Sequence, residues 1–296
     1  MSSTTQRSGY VAIVGRPNAG KSTLLNALIG QKISITSRRP QTTRQNILGI
    51  VTRDNAQLVF LDTPGFQTEY RTGLTKAMDR GFKTALAEAQ AVLWLMDVCT
   101  KEHLDPELFR QTEKCPAVVI ALNKIDKISN KNKILATIQQ LDAVYHPQAI
   151  VPISARNRLQ LDTLLDALTP LLPQQEFLFP LDEVTTASVR SLAAEMIREK
   201  LFRLLGQELP YSTAVEIETF EEKPALTRIG AIILVDKPGQ KAIVIGKGGE
   251  KLKEIGTAAR RDIETLVGNK VFLQLFVKVK QSWADDRKML SGLGLS

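Results

Sequence analysis

The chain has two cysteines and two histidines in 296 residues, too few for a disulfide framework or for a thiolate or imidazole metal centre. Cys99 and Cys115 each adjoin an apolar run and are expected to be buried free thiols in a reducing compartment. His103 and His146 are solitary. No apolar run approaches the roughly 20 residues of a membrane-spanning helix. The polar stretch Met1 to Gly9 lacks the apolar centre of a secretory signal, so a cytoplasmic protein is expected. Internal repeats and low-complexity segments are also missing, which excludes a solenoid.

The length favours two domains, each large enough for its own core. The net charge of +8 points to a polyanionic partner. Much of the excess is local, since ten Lys/Arg face four Asp/Glu between Lys237 and Lys280. From Tyr10 to about Leu172, short β-branched runs alternate with amphipathic stretches. This pattern predicts an α/β domain with a mostly parallel sheet, helices on both faces, and ligands at the carboxyl ends of the strands. Strands are expected at 10–14, 47–52, 57–62, 91–97, 117–123 and 149–153. Pro170, Pro173 and Pro180 then interrupt the pattern. The expected division is a first domain over 1–172, a linker over 173–186 and a second domain over 187–296.

The first domain is organised around Gly15-Arg16-Pro17-Asn18-Ala19-Gly20-Lys21-Ser22-Thr23, which lies between an apolar run and an amphipathic one. Glycines let successive N–H groups turn inward, the following helix offers its positive end, and Lys21 adds a cation. This is a phosphate-binding loop in which Ser22 is placed to ligate Mg2+. Asn123-Lys124-Ile125-Asp126 ends another apolar run. A carboxylate at Asp126 can accept two hydrogen bonds from guanine, whereas adenine would leave that charge unpaired, so the nucleotide is expected to be GTP or GDP. Lys124 can pack on the purine, Asn123 can tie this turn to the phosphate loop, and Ser154-Ala155 can present an N–H to the guanine carbonyl. Asp62-Thr63-Pro64-Gly65 ends a further strand. Asp62 can hold Mg2+ through a water, and the N–H of Gly65 can sense the γ-phosphate. In Pro40-Gln41-Thr42-Thr43-Arg44 one threonine should complete the magnesium shell, with Thr43 favoured over Thr42.

Together these motifs resemble the translation-factor class of P-loop GTPases, in particular the branch containing the Era proteins, along essentially the whole chain. The position after Gly65, where GTPases of the Ras type carry a water-orienting Gln, is Phe66. The resemblance implies that hydrolysis relies on positioning by Lys21, Thr43 and Gly65, on Mg2+, and on K+ held near Asn18. Slow intrinsic turnover is expected. Arg38, Arg39 and Arg44 are expected on a solvated or RNA-facing surface.

In the second half the expected order is α-β-β-(α)-α-β. Its centre is Ile245-Gly246-Lys247-Gly248-Gly249, followed by Lys251, Lys253, Arg260 and Arg261. A Gly-x-x-Gly turn in a basic setting lets a nucleic-acid backbone approach closely. The combination looks like a type II KH domain, an α+β fold that binds RNA. Lys241 to Ile245 reads as a strand by propensity, although the KH resemblance requires a helix there. Trp283 is expected either in the core or stacked on a base. The resemblance implies binding to the 3′ region of small-subunit (16S) ribosomal RNA, action on the precursor of the 30S subunit, a monomeric state, and room for peripheral contact with anionic membrane. Two other functions compete: a constitutive RNA-binding protein with GTP as a structural ligand, and a tRNA-modification GTPase of the same branch.

Overall fold

The computed structural model describes residues 5–36, 43–44, 46–66, 72–100, 104–113, 115–206 and 209–295. The chain divides into two compact units. The first comprises Met1–Ser34, Thr43–Glu69 and Met78–Thr186, and the second comprises Ile35–Thr42, Tyr70–Ala77 and Ala187–Ser296.

The strands of the first unit are β1 (Arg7–Val14), β2 (Ile47–Arg53), β3 (Ala56–Asp62), β4 (Ala91–Asp97), β5 (Val118–Asn123) and β6 (Ala149–Pro152). They form one six-stranded sheet in the order β2-β3-β1-β4-β5-β6. Every pairing is parallel except β2 with β3, which is antiparallel. The helices are α1 (Lys21–Ile29), α2 (Gly73–Glu88, of which Met78–Glu88 belong to this unit), α3 (Pro106–Thr112), α4 (Lys131–Tyr145) and α5 (Leu161–Leu168). One sheet face packs Val14, Trp94 and Ile120 against Phe82, Leu108, Leu141 and Tyr145, while the other carries α1 and α5. The inner strands are apolar throughout because both faces are covered, as a parallel sheet requires. β1 starts at Arg7, three residues before the apolar run. Arg7, Ser8 and Gly9 pair with β3 despite their polarity, and Ser8 is fully buried.

The Pro-rich stretch 173–186 runs along this unit. Its backbone exchanges hydrogen bonds with Gln6, Ser8 and Ile50, and Gln57 Oε1 accepts from the N–H groups of Leu178 and Phe179. Cys99 is exposed and Cys115 half-buried, so neither is the buried thiol expected. Cys99 follows the end of β4 in a turn held by Asp97, outside the apolar core.

The second unit contains α6 (Val189–Leu204), β7 (Thr213–Lys223), β8 (Leu226–Val235), α7 (Pro238–Ile245), α8 (Glu250–Val267), β9 (Val271–Val279) and α9 (Arg287–Gly292). Its sheet runs β7-β8-β9, with β7 antiparallel and β9 parallel to β8. Ile197, Leu201, Ile233, Val244, Ile255, Ile263 and Val277 meet in one core. Residues 241–245 are helical in spite of their propensity. Pro238 opens the helix, Gln240 Oε1 caps it by accepting from the N–H groups of Asp236 and Lys237, and Val244 is fully buried. Tertiary packing outweighs a preference of a few tenths of a kcal/mol per residue, roughly, and wins.

Among the described residues, no helix is long and apolar enough to cross a membrane.

Candidate functional site

In the first unit the strands deliver their carboxyl ends to one place. β1 ends at Val14 and the chain wraps through Gly15–Gly20 into α1. Lys21 is buried and donates from Nζ to the carbonyls of Gly15 (3.0 Å) and Arg16 (3.3 Å). Burial lowers its ammonium pKa from 10.5 to about 8, opposed by the charge of Asp62. Asp62, at the end of β3, is fully buried, and burial raises its carboxyl pKa against the pull of Lys21 and of three hydroxyls. Its Oδ2 accepts from Ser22 Oγ and Ser34 Oγ, both at 2.8 Å, and Ser22 Oγ lies 2.9 Å from Thr43 Oγ1. Asp62 Oδ1 is buried without a hydrogen-bond partner. An orphaned carboxylate oxygen beside two convergent hydroxyls is a set of hard oxygen donors that fits a magnesium ion.

Thr63 Oγ1 donates to the Ile13 carbonyl at 2.7 Å, which pins the segment after β3 to β1. Pro64 is buried behind it. Gly65 approaches the phosphate loop so closely that a Cβ there would lie 3.1–3.2 Å from Cγ, Cα and N of Pro17. The backbone N–H of Phe66 donates to the Gly15 carbonyl at 3.3 Å. The Phe66 ring is buried against Phe82, with centroids 5.6 Å apart, and the Arg16 guanidinium lies 5.2 Å over it. Arg16 is itself held by both carboxylate oxygens of Asp105, at 2.5 and 2.9 Å.

The base-reading residues are joined to the same loop. Asn123 Nδ2 donates to the Ala19 carbonyl at 2.9 Å, while its Oδ1 accepts from the Ala155 N–H at 3.0 Å. Lys124, with a left-handed φ of 68°, donates from Nζ to the carbonyl of Asn18 and to Asp97 Oδ2. Ser154 Oγ donates to Asp126 Oδ1 at 2.6 Å. Every residue expected from 15 to 22 lies in this cluster, with Thr23 next on α1. Gln41, Thr42, Arg38, Arg39 and His103 lie outside the described residues. Arg44 is buried rather than on a solvated surface.

Sequence reasoning missed Ser34, Asp97 and Asp105. Asp97 ends β4 as Asp62 ends β3, and that shared placement was its available signal. Ser34 and Asp105 carried none, because their partners are 28 and 89 residues away. Among the described residues, no cluster of three or more His, Cys, Asp or Glu side chains suits a metal ion.

In the second unit Gly246, Gly248 and Gly249 have φ of 74°, 60° and 82°, a turn that favours glycine at each of these positions and leaves Lys247 exposed. Beside it lies a groove of about 400 Å3 lined by Gly249, Lys253, Arg260, Phe272 and Leu275, among others. Arg261 is exposed on the same helix. Lys251 pairs with Glu254 (2.8 Å) and Arg260 with Glu264 (3.9 Å), so part of the basic surplus is neutralised locally. Trp283 is 1% exposed, and its Nε1 donates to the Ser212 carbonyl at 3.0 Å. It is a core residue, and base stacking by it is excluded.

A P-loop GTPase unit followed by a KH unit is the class these features define. The model of the 50S ribosome-binding GTPase family matches residues 10–124, and that of the KH domain matches residues 208–284. The chain is 49% identical to GTPase Era of Neisseria meningitidis over 98% of its length and 95% of the relative's. It is 48% identical to GTPase Era of Chromobacterium violaceum over the whole of both chains. A crystal structure of an Aquifex aeolicus Era variant bound to GDP·AlF4− superposes with a TM-score of 0.93 at 38% identity, covering 98% of this chain and 100% of that one. Era in complex with MgGDPNP and nucleotides 1506–1542 of 16S ribosomal RNA matches with the same TM-score and identity, over 98% and 99% of the two chains. The chain belongs to the Era family of GTPases.

Proposed function

We propose that this protein is a GTP-binding and GTP-hydrolysing switch that binds the 3′ region of 16S ribosomal RNA and acts in assembly of the 30S subunit. The observation that carries this reading is the whole-chain likeness to Era solved with MgGDPNP and 16S nucleotides 1506–1542.

In this reading residues 15–23, through every backbone N–H of the loop except that of Pro17, which has none, and the Lys21 ammonium bind the phosphates, and Asp126, with the Ala155 N–H, reads guanine. Ser22 and Thr43 would hold Mg2+, with Asp62 behind them. A bound magnesium ion neutralises phosphate charge as the γ-phosphoryl leaves. The Gly65 N–H senses that phosphoryl group. The Phe66 side chain can neither donate nor accept a hydrogen bond, so it orients no water, and intrinsic turnover is slow. We further assign a K+ site beside Asn18, which would add positive charge where the transition state needs it. Equal turnover in KCl and NaCl would refute that assignment.

The RNA site comprises Ile245–Gly249 with Lys251, Lys253, Arg260 and Arg261. We place the domain boundaries at 172/173 and 186/187. The proposal includes a monomer in solution and peripheral contact with anionic membrane, which light scattering and sedimentation with anionic vesicles test.

The deciding experiment measures affinity for a 16S 3′-end RNA with GDP and with a non-hydrolysable GTP analogue. A switch requires different affinities. Equal affinities would make GTP a structural ligand of a constitutive RNA-binding protein. Asp126→Asn should shift preference from GTP to xanthosine triphosphate, and retained guanine preference would refute the base assignment.

A further inference from the structure

Phe272 and Phe276 are the only exposed aromatic residues among those described, at 48% and 55%. Both lie on β9, an edge strand of the second unit. Alternation along the strand sends Val271 and Val277 into the core and leaves Phe272, Gln274, Phe276 and Lys278 exposed on the opposite face. Two rings held in water at a sheet edge gain nothing for the fold and invite association, so a ligand is the natural reason for them.

We propose that Phe272 and Phe276 form a second RNA subsite, a stacking platform for single-stranded bases that leave the Gly-x-x-Gly groove and cross the β9 edge. It rests on the RNA reading of that groove. Continuity is the first argument, because Phe272 itself lines the groove that Gly249, Lys253 and Arg260 border, so one ring belongs to both surfaces. Charge is the second. Arg228 is in register with Phe272, and Lys278 lies two residues beyond Phe276. Glu216 and Glu221 are on β7, across β8 from Phe276 and Phe272. A polyanion is therefore attracted along β9 and kept off the far strand. Spacing is the third, since four residues of strand separate the rings by about 13 Å, enough for each to take its own base. Gln274 sits between them with an amide that can meet a base edge. A peptide strand adding to this edge would instead meet Lys270, Lys278 and Lys280, the residue type that guards edges against such pairing.

The test uses the full-length protein and two single-stranded RNAs from the 3′ end of 16S ribosomal RNA. One is a hexamer that fills the groove, and the other is the same hexamer extended by four nucleotides at either end. Wild type should bind the extended RNA about tenfold or more tightly. Phe276→Ala, a position outside the groove lining, should bind the hexamer as wild type does and lose most of the gain. Because Trp94 and Trp283 are both buried, fluorescence of Phe276→Trp should be quenched by the extended RNA and not by the hexamer. If Phe276→Ala keeps the full gain, the face belongs to a protein partner and the proposal is overturned. Absence of quenching overturns it as well. Gly248→Asp tests the groove separately: loss of hexamer binding supports it, whereas unchanged hexamer binding removes the groove and the platform with it.

Discussion

Asn123 holds three chain segments together with one side chain, and replacing it should be costly in a way that the geometry quantifies. The side chain is 2% exposed, donates to the Ala19 carbonyl at 2.9 Å and accepts from the Ala155 N–H at 3.0 Å. Ala19 and Ala155 are each 3% exposed, so water cannot readily replace the amide. Asn123→Ala leaves a buried carbonyl and a buried N–H unpaired, at about 1–3 kcal/mol each, for a total of about 2–6 kcal/mol. That is a large share of the roughly 5–15 kcal/mol by which a domain is stable. Asn123→Asp keeps the acceptor for Ala155 and turns a carboxylate oxygen on the Ala19 carbonyl. It should cost at least as much at pH 7 and recover partly at acid pH, where the protonated carboxyl can donate. Urea unfolding in a Trp283→Phe background, with Trp94 reporting on the first unit, measures the stability, and a fluorescent GDP analogue measures binding. A loss below about 0.5 kcal/mol with unchanged GDP affinity would refute the claim that this amide joins the phosphate and base loops.

Gly65→Ala would place a methyl group 3.1–3.2 Å from three atoms of Pro17, so the backbone must move; turnover should fall by about tenfold or more while GDP affinity stays within about threefold. An unchanged rate would show that the close approach is irrelevant to catalysis. In nucleotide-free protein the pKa of Lys21 is lowered from 10.5 to about 8. Between these values the unfolded chain binds more protons there than the folded one, so stability rises with pH across that window, by up to about 3 kcal/mol. Lys21→Met should flatten the wild-type slope, and an equal slope in both proteins would refute it. Trp283→Ala should lower the thermal midpoint of the second unit through a loss of about 3–5 kcal/mol. Weaker RNA binding with an unchanged midpoint would place the indole on RNA instead of in the core.

What could be read from the sequence depended on how local its cause was. The phosphate loop, Asn123 to Asp126 and Asp62 to Gly65 each follow an apolar strand whose composition announces it, so element and motif were legible together. The antiparallel β2 and the polar start of β1 were less so, since Arg7, Ser8 and Gly9 are strand residues only because β3 stands beside them. The helix at 238–245 was hidden by its β-branched content and is fixed by Gln240, Pro238 and the burial of Val244. Side-chain pairings across long separations left no local trace. Ser34 with Asp62 and Arg16 with Asp105 needed the fold before they could be seen.

Phe66 shows how such a pairing changes the meaning of a motif. By sequence it is only the absence of a water-orienting amide. In the fold it is a buried ring, packed on Phe82 beneath the Arg16 guanidinium, with its backbone N–H on the Gly15 carbonyl. The position next to Gly65 is therefore spent on fixing the backbone of that segment to the phosphate loop. Arg16 is committed to Asp105 and to that ring, so the one arginine of the loop serves to position the segment. Accelerating hydrolysis from this arrangement requires charge or order supplied by groups other than Arg16 and Phe66.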